Sequence, residues 1–196
     1  MFIAFSGLDG CGKGSQIEFL SRYLESKGQS VYISKAYGQP EKELFSQYVE
    51  TMDQVSLLFL FQALHREQYI RTKKALDDGK VVLADRWDDS YLAYHSRFGV
   101  LSDDESLRNR LSQLAFNDLK PDFTVYLKVS VEVSMKRTLA RGADFFDKKG
   151  FEYHSAMKEQ YEKLLLQENW VSVDGEQSAQ KIHNEILSLP GLSNFS

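Results

Sequence analysis

Short apolar runs alternate with longer stretches of helical spacing along this chain. Residues 2–5, Phe-Ile-Ala-Phe, form the first run and predict a buried strand. Residues 15–27 follow with Ile17, Leu20 and Leu24 close to the 3.6-residue period, and Gly28 is a stop signal. Residues 31–34 predict a second strand. Residues 53–78 carry a long helical pattern closed by Gly79, and residues 81–84, Val-Val-Leu-Ala, read as a buried strand. Residues 102–119 predict a helix, and Pro121 precedes a strand at 123–129. Helices are predicted at 131–141 and 153–167, a last strand at 171–173 and a last helix at 178–187.

This β-α alternation predicts an α/β fold with a five-stranded parallel sheet and helices on both faces. No repeat, low-complexity stretch or linker interrupts it, so residues 1–196 are expected to form a single domain. Ligands of such sheets sit at the carboxyl ends of the strands. Residues 7–14 and the pair Asp85-Arg86 both follow strand ends and are expected to line one cleft.

Composition narrows the classes. Hydrophobic residues are 42% and charged residues 27%, ordinary for a globular protein. A formal net charge of −4 argues against a nucleic-acid polymer as partner, which needs a basic face, but leaves room for a small phosphate ligand. Cys11 is the only cysteine, so no intrachain disulfide can form, which fits a reducing compartment. The first residues lack a basic n-region, and no run approaches the roughly 18 apolar residues of a membrane span. A cytoplasmic protein with no membrane partner is expected.

The strongest chemical signal is Gly7-Leu8-Asp9-Gly10-Cys11-Gly12-Lys13, the front of a Walker A loop between a strand and a helix. Glycines let successive N–H groups turn around an anion, and the following helix adds its positive end. Lys13 can reach the β- and γ-phosphates. The plainer reading, a glycine-rich turn, accounts less well for the flanking strand and helix. The pattern wants Ser or Thr after the lysine for Mg²⁺, and here stands Gly14, with Ser15 one residue late. One residue on a helix is a rotation of about 100°, so Mg²⁺ is expected to rely on waters and a carboxylate. Cys11 reads as a small filler rather than a nucleophile.

The P-loop, continued by Ser15-Gln16, resembles that of the thymidylate kinases. So does Leu57-Leu58-Phe59 with Ala63 and Arg66, a Leu-Phe-x-Ala-x-Arg helix. Asp85-Arg86-Trp87 with Ser90 and Ala93-Tyr94-His95 resembles the family's Asp-Arg segment followed by Ala-Tyr-Gln. Pro121-Asp122-Phe123-Thr124-Val125-Tyr126-Leu127 resembles its Pro-Asp-Leu-Thr-x-Tyr-Leu strand. Arg141-Gly142, Phe151-Glu152 and Tyr161 resemble its lid, placed at about 137–152. Asp174-Gly175 and Gln177-Ser178 resemble its adenine-side loop.

The resemblance implies a usually homodimeric kinase, with Mg²⁺, that moves the γ-phosphoryl group of ATP to a deoxynucleoside monophosphate, dTMP or a related pyrimidine. Lys13, Asp85, Arg86 and Arg141 would be catalytic. ATP would meet Gly7, Gly10, Cys11, Gly12, Lys13, Gly14, Ser15, Arg137, Asp174 and Gln177. The acceptor would meet Asp9 at its 3′-hydroxyl, Arg86 at its phosphate, Tyr94 beside the 2′ position, and Gln62, Arg66, Ser90 and His95 near the base. Ser15 and Asp85 would serve the metal.

Several positions depart from the family pattern. Ser34-Lys35-Ala36-Tyr37-Gly38-Gln39-Pro40 replaces Arg-Glu-Pro-Gly-Gly-Thr, leaving Lys35 as the nearby cation. Gln62 stands where phenylalanine often does, and His95 replaces a glutamine. Asp144-Phe145 replaces Asp-Arg in the lid, with Arg137, Arg141, Lys148 and Lys149 as substitutes. The base side has changed more than the ATP side. Two alternatives stay open: a deoxynucleoside kinase, suggested by Phe61-Gln62, and a P-loop module that binds nucleotide without transfer, suggested by Gly14 and Phe145. Asp103-Asp104-Glu105 reads as a helix N-terminus, and residues 57–61 as core or dimer interface.

Overall fold

The structure, a computed structural model, describes residues 1–36, 49, 51–142 and 145–192. Tyr37, Gly38, Gln39, Pro40 and the lid's Asp144 lie outside the described residues.

Five strands form one all-parallel sheet: β1 Phe2–Ser6, β2 Val31–Lys35, β3 Val81–Asp85, β4 Phe123–Lys128 and β5 Trp170–Asp174, in the order β2-β3-β1-β4-β5. The described helices are α1 Lys13–Ser26, α2 Gln54–Asp77, α3 Asp88–His95, α4 Glu105–Phe116, α5 Val131–Arg141, α6 Phe151–Leu164 and α7 Ala179–Leu187, with a 3₁₀ turn at Asp147–Lys149. The predicted five-stranded parallel sheet is thus present, and helix α3 is an addition.

Both sheet faces are covered, so strand residues of either parity are buried. Ile3, Phe5, Leu83, Val125 and Val173 pack with Ile17, Leu20, Leu24, Ile182 and Ile186 of α1 and α7. Phe2, Ala4, Val82 and Ala84 pack with Leu58 and Ala75 of α2, Tyr91 of α3 and Phe116 of α4. Cys11 is fully buried in the first of these clusters, as a filler residue should be. Asp104 caps α4, its side chain accepting from the Leu107 N–H at 2.9 Å.

Connections leave β1 toward β2 and β4 toward β5, in opposite directions across neighbouring strands. This reversal opens a crevice at the strands' carboxyl ends, where the loops after β1, β3, β4 and β5 meet.

Candidate active site

The loop after β1 is shaped by close packing. Gly7 has φ 133° and Gly10 has φ 77°. A Cβ on Gly7 would lie 2.7 Å from the Leu127 carbonyl oxygen, and one on Gly10 would lie 2.7 Å from that of Ser134. Glycine is therefore demanded twice over, by dihedral and by space. Helix α1 then begins with no side-chain cap and no acidic residue in its first turn. Its first N–H groups point out of the helix unpaired within it, which suits an anion. Lys13 is buried, and its Nζ donates to the carbonyls of Gly7 and Leu8, both at 3.0 Å.

Arg86 joins this loop to the far side of the cleft. Its Nη1 donates to Gly7 O at 3.0 Å, to Tyr161 Oη at 2.6 Å and to Ser90 Oγ at 3.3 Å. Its Nη2 donates to Asp9 Oδ1 at 2.7 Å. Arg86 has φ 69°, left-handed for a non-glycine residue, which costs about 1–2 kcal/mol. Two contacts hold it there: its N–H donates to Phe5 O at 3.0 Å and its carbonyl accepts from Gln68 Nε2 at 3.1 Å.

The charges of this cluster support one another. Burial works against the Asp9 carboxylate, but Arg86, Lys13 and Arg141 outweigh it and hold its pKa well below the usual range. Burial likewise works against the Arg86 cation, and Asp9 outweighs it. Burial pushes the Tyr161 hydroxyl up to about 12, so it stays a neutral partner of Arg86. Beneath lies buried Asp89, which accepts from Ser6 Oγ at 2.6 Å, Ser90 Oγ at 3.1 Å and the Trp87 N–H at 3.0 Å. Burial raises its pKa.

Asp9, Lys13, Arg86, Ser90 and Tyr161 line a cleft of about 1080 Å³ that also takes in Gly12, Gly14, Ser15, Asp85, Tyr94, His95, Arg137, Arg141, Gly175 and Gln177. Asp85, at the end of β3, is 3.7 Å from Lys35 Nζ. Arg137 Nη1 donates to Gly175 O at 2.9 Å, tying α5 to the loop after β5. Arg141 Nη2 is 3.2 Å from the buried Asp147 carboxylate. Lys149 Nζ lies 5.0–6.0 Å from the ring centroids of Phe145, Tyr153, Phe146 and Tyr94. Asp174 stands outside the cleft and accepts from the Glu176 N–H at 2.9 Å.

Two acceptor-side expectations land elsewhere. Arg66 is exposed on the outer face of α2, its guanidinium 4.5 Å from the Tyr69 ring and its Nη1 donating to Leu114 O at 3.3 Å. Gln62 lies against the Tyr91 hydroxyl rather than in the cleft. The helical period is the reason. Phe61, His65 and Gln68 share the face of α2 turned to the cleft, and Gln62 and Arg66 are each rotated about 100° from it. Sequence reasoning missed His65, Gln68 and Asp89, and it placed Tyr161 with the lid rather than against Arg86. The i, i+4, i+7 spacing of Phe61, His65 and Gln68 was the available signal.

Magnesium needs few protein ligands, because it keeps waters and phosphate oxygens. Among the described residues, no group of three or more His, Cys, Asp and Glu could hold a metal on its own. Asp85 and Ser15 both line the cleft, and a Cβ at Gly14 would meet nothing within 4 Å. That space beside the loop fits a hydrated ion. No described helix is long and apolar enough to cross a membrane.

The thymidylate kinase family model matches residues 5–186. The chain is 33% identical over 195 residues to a thymidylate kinase of Fervidobacterium nodosum, covering 96% of this chain and 98% of that one. It is 30% identical over 200 residues to one of Thermoanaerobacter sp. (strain X514), covering 96% of each. A glycine-rich loop at the head of α1, tied through Arg86 to Ser90 and Tyr161 on the far wall of the same cleft, suits phosphoryl transfer between two nucleotides, and with these matches the chain belongs to the thymidylate kinase family of nucleoside monophosphate kinases.

Proposed function

We propose that the protein transfers the γ-phosphoryl group of ATP to dTMP, giving dTDP and ADP, with the roles set out below. The observation that carries this reading is the bridging position of Arg86, bonded at once to Gly7 of the phosphate loop and to Ser90 of α3. A guanidinium there faces donor and acceptor phosphates together.

The loop N–H groups and the head of α1 hold the ATP phosphates, with Gly12, Gly14 and Ser15 along the wall and Gly175 and Gln177 on the adenine side. Lys13 exchanges its carbonyl partners for phosphate oxygens. Arg86 grips the acceptor phosphate through two N–H groups, which lysine cannot do. An acceptor phosphate oxygen attacks the γ-phosphorus in line, the bond from that phosphorus to the β,γ-bridging oxygen breaks, and ADP leaves. The acceptor oxygen is already anionic at neutral pH, so no general base is needed. Arg141, Arg137 and Lys149 are the lid-side cations available to the transferring group. Bound through Asp85 and Ser15, Mg²⁺ would neutralise charge on the transferring phosphates.

Asp9, fixed beside Arg86, is placed for the sugar, and Tyr94 and His95 for sugar and base. The proposal includes a homodimer and a single domain over residues 1–196, working in the cytoplasm. Support for the dimer comes from Phe59, Val55, Leu107 and Leu114, which leave the packed pair α2 and α4 exposing large apolar side chains.

The test is an acceptor panel with Mg-ATP, following ADP release. Turnover of dTMP above dCMP, dGMP and thymidine is expected. Turnover of thymidine but not dTMP would favour the nucleoside kinase, and nucleotide affinity with no transfer would favour the binding module. Sedimentation tests the dimer.

A further inference from the structure

The base end of the cleft holds two histidines whose chemistry the reaction has not used. Arg86 precedes α3, and Ser90 to Tyr94 is one turn of that helix, about 6 Å of travel away from the phosphate. There the lining turns aromatic: Phe61, His65, Tyr91, Tyr94, His95 and Phe146. The charged lining residues Asp9, Lys13, Lys35, Asp85, Arg86, Arg137 and Arg141 belong to the loop, the strand ends and helix α5.

Tyr91 stands against both imidazoles, its centroid 5.9 Å from that of His65 and 4.6 Å from that of His95. Phe61 stacks on His65 at 6.0 Å. The Nδ1 atoms of His65 and His95 are both buried without a hydrogen-bond partner. His95 itself is only 5% exposed. Burial lowers the pKa of His65 to about 3 and that of His95 to about 4, helped by each other's proximity for His65 and by Arg108 for His95. Both rings are neutral at physiological pH. A buried N–H without an acceptor is the costlier orphan, so the proton of each ring sits on Nε2 and Nδ1 keeps its lone pair. Each ring then has one N–H to give.

We propose that His65 and His95 read the acceptor base, donating their Nε2–H groups to the carbonyl oxygens of a 2,4-dioxopyrimidine. This rests on the monophosphate kinase reading above and names the groups that set its specificity. A 4-aminopyrimidine would turn a donor toward a donor and leave both unpaired, and sites built on such pairing discriminate strongly. Among the described residues no guanidinium or carboxylate lines this end, so the two proposed donors are neutral groups.

The experiment compares dTMP, dCMP and the monophosphate of pyrimidin-2-one deoxyribonucleoside, which lacks the 4-oxo group, as acceptors with Mg-ATP. In the wild-type protein, loss of that oxygen should raise acceptor KM about tenfold, one hydrogen bond's worth. His65→Phe and His95→Phe should each raise the dTMP KM several-fold to tenfold, leave the ATP KM in place, and narrow the preference for dTMP over dCMP. His→Gln at either site, which keeps an N–H at the end of the side chain, should restore much of the preference. Equal KM values for dTMP and the 4-deoxo acceptor in wild type would overturn the proposal, and so would phenylalanine variants with unchanged base preference. If wild type turns over no monophosphate, it is the kinase reading that fails.

Discussion

Arg86 Nη2 and Asp9 Oδ1 are 2.7 Å apart, so the guanidinium assigned to the acceptor phosphate is tied to a carboxylate of the loop assigned to the donor. An acceptor phosphate must share or displace that contact. Arg86→Lys keeps the charge and loses the fork. Hydrogen bonds to charged groups are worth about 1.5–3 kcal/mol, so kcat/KM for dTMP should fall roughly 10- to 150-fold in steady-state assays, with the loss in acceptor KM exceeding that in ATP KM.

Lys13 bonds to loop carbonyls, and the proposed mechanism gives it to the transferring phosphates. Lys13→Ala should lower kcat by about 10²- to 10³-fold, the scale of removing one preorganised donor. A melting curve close to that of wild type would show that the loss is chemical.

Gly14 and Gly10 should respond oppositely to a side chain. A Cβ at Gly14 meets nothing within 4 Å. Gly14→Ser should lower the Mg²⁺ concentration needed for half-maximal activity and improve helix propensity by a few tenths of a kcal/mol. Gly10→Ala meets Ser134 O at 2.7 Å with φ 77°. It should lower both Tm and ATP affinity, read by thermal denaturation with and without ATP.

Stability should fall on mild acidification, through the histidines. His65 and His95 titrate at about 3 and about 4 in the fold against an ordinary 6.5. Between those values the unfolded chain binds the protons and the folded chain does not. The stabilisation is therefore complete above about pH 6.5 and is lost as pH drops toward 4. His183, also lowered by burial, acts in the same direction, and Asp89, whose pKa burial raises, acts against it. Urea denaturation from pH 7 to 4.5 should show a smaller loss in His65→Phe than in wild type.

Much of the fold was legible because each strand is a short apolar run and α1, α2, α5 and α7 carry periodic apolar positions. Helix α3 was not. Its sequence Asp88-Asp89-Ser90-Tyr91-Leu92-Ala93-Tyr94-His95 buries two acids beside its aromatics, so no clean stripe shows. The phosphate loop and Arg86 were legible because local order fixes them next to strand ends. The face of α2 that lines the cleft lies one position from the one expected, and one position exchanges Arg66 for His65. Asp89, and the contact of Tyr161 with Arg86, became visible only when the chain brought α3 and α6 beside the loop, since Tyr161 is far from Arg86 in sequence.

The central claim is transfer between two nucleotides in one cleft, and ³¹P NMR of ATP, dTMP and Mg²⁺ with the purified protein tests it most directly. The account predicts that ADP and dTDP appear in equal amounts, with little free phosphate, and that Arg86→Lys slows both together. ADP accompanied only by inorganic phosphate, or dTMP unchanged while ATP is bound, would contradict it.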